Sequence, residues 1–187
     1  TSSGLNIPVI GVSSREVDLC DASSIDALAS ICNSETRLVV CSGIKRQFGD
    51  TVEIFYQNLR MIENLSRFVA CNKISQLIYL SSSAVYGESN HNLSIAESTL
   101  VDPQTYYGLG KFSSESMFKI AMQKKNASIP FAILRLPLIY GPGDTSEGYG
   151  PADFVSRIMT GMPVNLWRSE ERRVGKECRS AGSADAA

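Results

Sequence analysis

The chain has 187 residues, 43% of them hydrophobic and 20% charged, a make-up that suits one globular domain with a sizeable core and argues against a disordered segment. A formal net charge of −1 and a pI near 5.9 leave no electrostatic footprint for DNA or RNA. No apolar run approaches the roughly 18–20 residues of a membrane span. Five cysteines at irregular spacing without a CxxC suggest neither a disulfide framework nor a zinc site, so a reducing cytoplasm is the expected compartment. His91 is the only histidine and lies in a polar turn, which excludes His-based metal clusters and leaves little basis for a Ser/His/Asp hydrolase.

In chain order, PVIGV at residues 8–12 predicts a short strand. The run Asp21, Ala22, Ser23, Ser24 before Ile25, Leu28 and Ile31 predicts a capped helix. RLVVC at 37–41 has the continuous apolar character of a buried strand. Phe55, Leu59, Ile62, Leu65 and Val69 then mark a helix over 52–70. QLIYL at 76–80 predicts another strand, a polar stretch leads to a second long helix over 105–124, and FAILRL at 131–136 predicts a further strand. Strands alternating with helices predict an α/β fold: a Rossmann-like, doubly wound parallel sheet with helices on both faces. Ligands of such sheets lie at the carboxyl ends of the strands, so the loops after VVC, IYL and ILR are where chemistry is expected.

One of those loops is Ser81-Ser82-Ser83-Ala84-Val85-Tyr86-Gly87, and the helix after it opens with Tyr106-Tyr107-Gly108-Leu109-Gly110-Lys111. Tyr107 and Lys111 are four residues apart and project from one helix face, where a cation favours the phenolate of a side chain that otherwise titrates near 10. Such a tyrosine takes a proton from a hydroxyl while hydride leaves the same carbon. Ser82 holds the oxygen in line, and the device needs a redox cofactor.

SSxxVYG, YxxxK 25 residues after Ser82, the intervening Glu97 and Pro103, and Arg135 with YGPG beyond form an ordered set. Over residues 8–167 this set resembles the extended short-chain dehydrogenase/reductases, and among them the NAD-dependent epimerase/dehydratase family with its UDP-galactose 4-epimerase-like nucleotide-sugar enzymes. The resemblance implies a nucleotide-sugar epimerase that transiently oxidises a sugar hydroxyl with NAD, NADP remaining open because Arg15 could favour a 2′-phosphate. It implies catalytic roles for Ser82, Tyr107 and Lys111. Cofactor contacts are implied at Asp18 and Leu19 near the adenine, at Ser42, Gly43 and Lys45 past the pyrophosphate, and at Asn58, Tyr107, Lys111 and Pro137. Substrate is implied against Ser82, Ser83, Tyr107 and Leu138, and Tyr86 and Tyr140 are implied as aromatics that close the site. The resemblance further implies a homodimer through the two long helices; charge and hydropathy, as above, point to no nucleic-acid or membrane partner.

The chain departs from the family's pattern in places. Many nucleotide-sugar enzymes carry Asn where Leu138 stands, and Ser83 and Ala84 stand where 4,6-dehydratases carry the Asp-Glu pair that eliminates water. An NADPH-dependent keto-sugar reductase, or a non-catalytic binding protein on the same fold, are the alternative readings.

The family opens with a strand and a GxxGxxG turn that this sequence lacks, and the sugar lobe is mostly missing. The expectation is a piece truncated at both ends, inactive by itself, with a partial NAD(P)-binding domain and the start of a substrate lobe over 1–167. The string RSEERRVGKEC from Arg168 matches the conceptual translation of a common DNA-sequencing adapter, so residues 168–187 are expected to be an assembly artefact rather than an evolved charged tail. Independent genomic reads across this end of the gene should lack the codons for residues 168–178. Reads that contain them overturn the artefact.

Overall fold

The computed structural model describes residues 7–87, 94–123, 129–141 and 150–164. It divides into two compact units, Thr1–Pro137 and Leu138–Ala187. The segment 168–187 lies outside the described residues.

The first unit holds α1 (Asp26–Ala29), β1 (Arg37–Val40), α2 (Val52–Cys71), β2 (Gln76–Ser82), a 3-10 turn (Ser83–Tyr86), α3 (Tyr106–Gln123) and β3 (Phe131–Leu136). The three strands form a parallel sheet in the order β1-β2-β3, with Val40 beside Tyr79 and Tyr79 beside Ile133. This is the expected α/β sheet.

Two expectations are not met. Residues 8–12 form no strand, and Val9 and Ile10 are 79% and 70% exposed. β-propensity there is not realised because a strand needs a ladder partner, and the described sheet offers none to this segment. The capped helix expected from Asp21 shortens to the single turn of α1, because the polar run spends its side chains on local turns. Asp21 Oδ1 accepts from the Ser23 N–H and hydroxyl, and Ser24 Oγ accepts from the Asp18 N–H.

The two long helices appear where predicted. Thr51 caps α2 by accepting the Ile54 N–H, and Ile62, Leu65, Phe68 and Val69 form its buried stripe. α3 is capped by Thr105, whose hydroxyl accepts the Gly108 N–H at 3.0 Å, and by Asp50, whose Oδ1 accepts the Tyr107 N–H at 2.9 Å from 57 residues away. A carboxylate at a helix N-terminus also complements the macrodipole.

Alternation along β2 buries Leu77, Tyr79 and Ser81 and turns Gln76, Ile78, Leu80 and Ser82 the other way. Tyr79 and Leu77 share one core with Val40, with Ile62, Leu65 and Val69 of α2, and with Phe118 of α3. The Phe118 ring lies 5.3 Å from that of Tyr79 and 6.0 Å from that of Phe131, centroid to centroid. Among the described residues, helices cover one sheet face, and Val39 and Leu134, on the opposite face, are 50% and 42% exposed.

In the second unit, α4 (Pro151–Thr160) starts with Pro at its first turn and ends at Gly161 in the left-handed conformation. Asp153 and Arg157 pair across one turn at 2.8 Å.

Gly108 lets α3 approach the 3-10 turn. A Cβ built there would lie 2.5 Å from the Ala84 carbonyl oxygen, which is backbone and cannot swing away. Helix propensity alone favours Ala over Gly by roughly 0.5–1 kcal/mol. The clash should outweigh it, so Gly108→Ala should destabilise the protein by about 1–3 kcal/mol in urea unfolding. A stabilised variant would show that the helix moves away at little cost.

Candidate active site

Three chain segments converge at the carboxyl end of the sheet. The β1–β2 ladder stops at Val40 and Tyr79, while β2 and β3 continue to Ser82 and Leu136. Past the end of β1, the Leu80 carbonyl accepts a hydrogen bond from Lys111 Nζ at 2.8 Å. The ammonium also stands 5.0 Å from the centre of the Tyr79 ring and 5.9 Å from that of Tyr107, so it rests between two aromatic faces.

Burial pulls the Lys111 pKa down from its usual value to about 8, against the opposing pull of Cys41 and Glu115. Burial likewise pushes the Tyr79 phenol well above its usual range, with a hydrogen bond to Ser114 working the other way. Tyr79 therefore stays neutral beside the ammonium.

A pocket at this point is lined by Ser42, Gly43, Asn58, Tyr107 and Lys111, together with Ile62, Tyr79, Gly110 and Ser114. Asn58 shapes its floor. Its Oδ1 accepts from the Ile44 N–H at 2.7 Å and its Nδ2 donates to the Ile44 carbonyl at 3.3 Å, so both ends of the amide hold the loop after β1. Gly43 takes a positive φ of 151°, and a Cβ there would sit 3.6 Å from Lys111 Nζ and 3.7 Å from Asn58 Oδ1. The Ser42 hydroxyl is buried with no hydrogen-bond partner among the described residues.

Five of the sequence-derived positions thus come together around one pocket. Ser82 is not among its lining residues; its Oγ accepts from the Ala84 N–H at 3.2 Å and starts the 3-10 turn, of which Ser83 is the first residue. Lys45 is exposed at the start of a second 3-10 turn, Arg46–Phe48. Asp18 is exposed, its Oδ1 accepting from the Cys20 N–H at 2.9 Å. The Leu19 carbonyl accepts from Asn64 Nδ2 at 2.9 Å, which ties that strip to α2. Pro137 follows β3 directly and is exposed, and Leu138 begins the second unit.

Two features were missed from sequence. One is the Asp50 cap on Tyr107. The other is a buried cluster one helical turn beyond Lys111. Glu115, wholly buried, accepts from Ser81 Oγ at 2.6 Å, from Arg135 Nε at 3.0 Å and from Arg135 Nη2 at 2.7 Å, while Arg135 Nη1 donates to the Tyr86 hydroxyl at 2.8 Å. The bond to Glu115 raises the Arg135 pKa further and keeps the guanidinium charged. Recurrence of Tyr107, Lys111 and Glu115 every four residues was the available signal for this cluster.

No group of three or more His, Cys, Asp or Glu side chains able to hold a metal occurs among the described residues, and no described helix is long and apolar enough to cross a membrane.

The sequence profile of the NAD dependent epimerase/dehydratase family matches residues 3–175, and the chain belongs to this family. That match runs eight residues into the charged segment that begins at Arg168. GDP-mannose 3,5-epimerase of Arabidopsis thaliana is 32% identical over 116 residues, covering 57% of this chain and 30% of the plant enzyme. The UDP-glucuronic acid 4-epimerase of Bacillus cereus, solved with NAD, superposes with a TM-score of 0.61 at 22% identity, over 84% of this chain and 47% of that one. RMD of Pseudomonas aeruginosa, solved with NADPH, superposes with a TM-score of 0.65 at 22% identity, over 85% and 55%. These superpositions show a shared Rossmann-like α/β fold. The chain spans about a third of the length of the curated relatives it matches.

The Lys111 shift gives a pH test. Between about 8 in the folded chain and 10.5 when unfolded, the unfolded state holds more protons, so stability rises with pH across that window. Lys111→Met removes the buried charge at every pH. Its stability relative to wild type should be highest below pH 8 and should decline as pH rises towards 10.5, measured as urea midpoints at both ends. A difference that is flat or grows with pH contradicts the burial of this ammonium.

Proposed function

We propose that the whole protein is an NAD-dependent nucleotide-sugar epimerase, and that this chain carries its catalytic face. The observation that carries the proposal is the Lys111 ammonium held between Tyr79 and Tyr107 at the end of β2, beside a buried Ser42 hydroxyl without a hydrogen-bond partner among the described residues.

The residues present fit the nicotinamide-ribose end of a dinucleotide. Ser42 offers an orphaned buried hydroxyl, Gly43 leaves the space a Cβ would fill, and Lys111 offers ammonium donors to ribose oxygens. NAD, when bound, supplies the hydride acceptor. Tyr107 takes the proton from the sugar hydroxyl as its carbon is oxidised and returns it on reduction from the other face. Lys111 favours the tyrosinate by its charge, and Ser82 donates to the oxygen as it becomes a carbonyl. Ser83 and Leu138 contact the sugar and its nucleotide. Asp18 and Leu19 meet the adenine end, Lys45 the pyrophosphate and Pro137 the carboxamide.

A nucleotide sugar as substrate draws support from the relatives whose names specify GDP-mannose and UDP-glucuronic acid. A homodimer through α2 and α3 is supported by the exposed Tyr56, Leu109 and Ile120. The NADPH-dependent reductase is kept as the second reading because RMD was solved with NADPH and Arg15 is exposed near Asp18 in sequence.

Full-length protein should release NAD on denaturation and interconvert UDP- or GDP-sugars without added cofactor. Tyr107→Phe should lower kcat by about 10²–10⁴-fold with KM little changed. Stoichiometric consumption of NADPH would establish the reductase instead, and full activity in the phenylalanine variant would remove Tyr107 from the chemistry.

A further inference from the structure

We propose that Glu115 and Arg135 are positioning residues that set Tyr107 and Lys111 against the end of β2, beyond their part in holding the fold. The inference rests on the catalytic reading above.

Tyr107, Lys111 and Glu115 lie on one face of α3. Two of them line the pocket, and the third reaches into the sheet. Glu115 has three donors, one from Ser81 on β2 and two from Arg135 on β3. Ser81 directly precedes Ser82, and Arg135 directly precedes Leu136, so each contact lies next to the carboxyl end of its strand. The remaining Arg135 amine holds Tyr86, the last residue of the turn that Ser82 starts.

Both flanks of Ser82 are therefore fastened to the same bidentate pair that fastens α3. A bidentate guanidinium–carboxylate contact fixes orientation as well as distance, which a point charge cannot do. A displacement of α3 by one ångström would carry the Tyr107 phenol and the Lys111 ammonium with it, and misplacement of that size costs about 10²-fold in rate.

The test uses the full-length protein with the double variant Glu115→Met/Arg135→Met, and with Arg135→Lys. Replacing both members of a buried ion pair by apolar side chains of similar volume generally preserves stability. It also leaves net charge unchanged. The double variant should unfold at a urea midpoint near that of wild type, yet lose at least about tenfold in kcat with little change in KM. Arg135→Lys, which keeps the charge and loses the fork, should fall in between.

A second readout is independent of turnover. Tyr107 ionisation, read as tyrosinate absorbance relative to Tyr107→Phe, should move to higher pH in the double variant as Lys111 loses its place. Wild-type kcat together with an unmoved Tyr107 titration in a stably folded double variant would reduce the pair to a structural role. If wild type itself turns over no nucleotide sugar, the functional reading fails, and the Tyr107 titration still decides the positioning role. Should the double variant unfold, Arg135→Lys carries the same two readouts, and wild-type values in it overturn the proposal.

Discussion

A carboxylate with no exposure to water sits in the middle of this fold, and the surrounding elements are arranged to satisfy it. Leaving Glu115 unpaired would cost several kcal/mol, more than a domain with about 5–15 kcal/mol of net stability can readily absorb. Its partners come from two different strands, so neutralising it demands that β2, β3 and α3 meet in one register. Apolar contact among Tyr79, Phe118 and Phe131 favours the same approach but tolerates sliding. Directional bonds to a buried charge do not.

Lys111 poses the opposite problem. Its ammonium is partly stripped of water, as the lowered pKa records, and what replaces the water is one carbonyl and two ring faces. The fold makes room for this by ending β1 early, by placing Gly43 beside the amine at a positive φ that disfavours a side chain, and by placing Gly108 and Gly110 where α3 meets the 3-10 turn and Phe55. A set of small residues and a truncated ladder is a poor way to build a core. It is a good way to hold a cation at a cleft, and the general conflict between stability and a prepared site would explain it if the proposed function holds.

Local signals in the sequence located most of the frame. Continuous apolar runs marked β1, β2 and β3, and helical spacing marked α2 and α3 with their ends nearly in place. Local reasoning failed at PVIGV, where propensity had no strand to pair with, and at Asp21, where polar side chains preferred turns to a helix cap. The spacing of Tyr107 and Lys111 was legible because a helix makes it a contact. The Asp50 cap and the Glu115 cluster were not, since their partners are 57, 34 and 20 residues away and only the assembled fold brings them together. The four-residue spacing of Glu115 from Lys111 marks its helix face, but nothing local marks it as buried.

The three consecutive serines show how strand geometry divides chemically identical groups. Ser81 points to the side of β2 that α3 covers, and its hydroxyl proton goes to Glu115. Ser82 points the other way at the strand's last residue, where its oxygen accepts from the Ala84 N–H. A hydroxyl used as an acceptor still has its own proton to donate, which is what an oxygen gaining negative charge requires. Ser83 has already left the strand for the turn. A slip of one residue in β2 would turn Ser81 to the opposite face and break its bond to Glu115, leaving that carboxylate to Arg135 and to whichever residue took the place of Ser81. The bond between Ser81 and Glu115 therefore helps to fix the strand end at which Ser82 would take the role proposed for it.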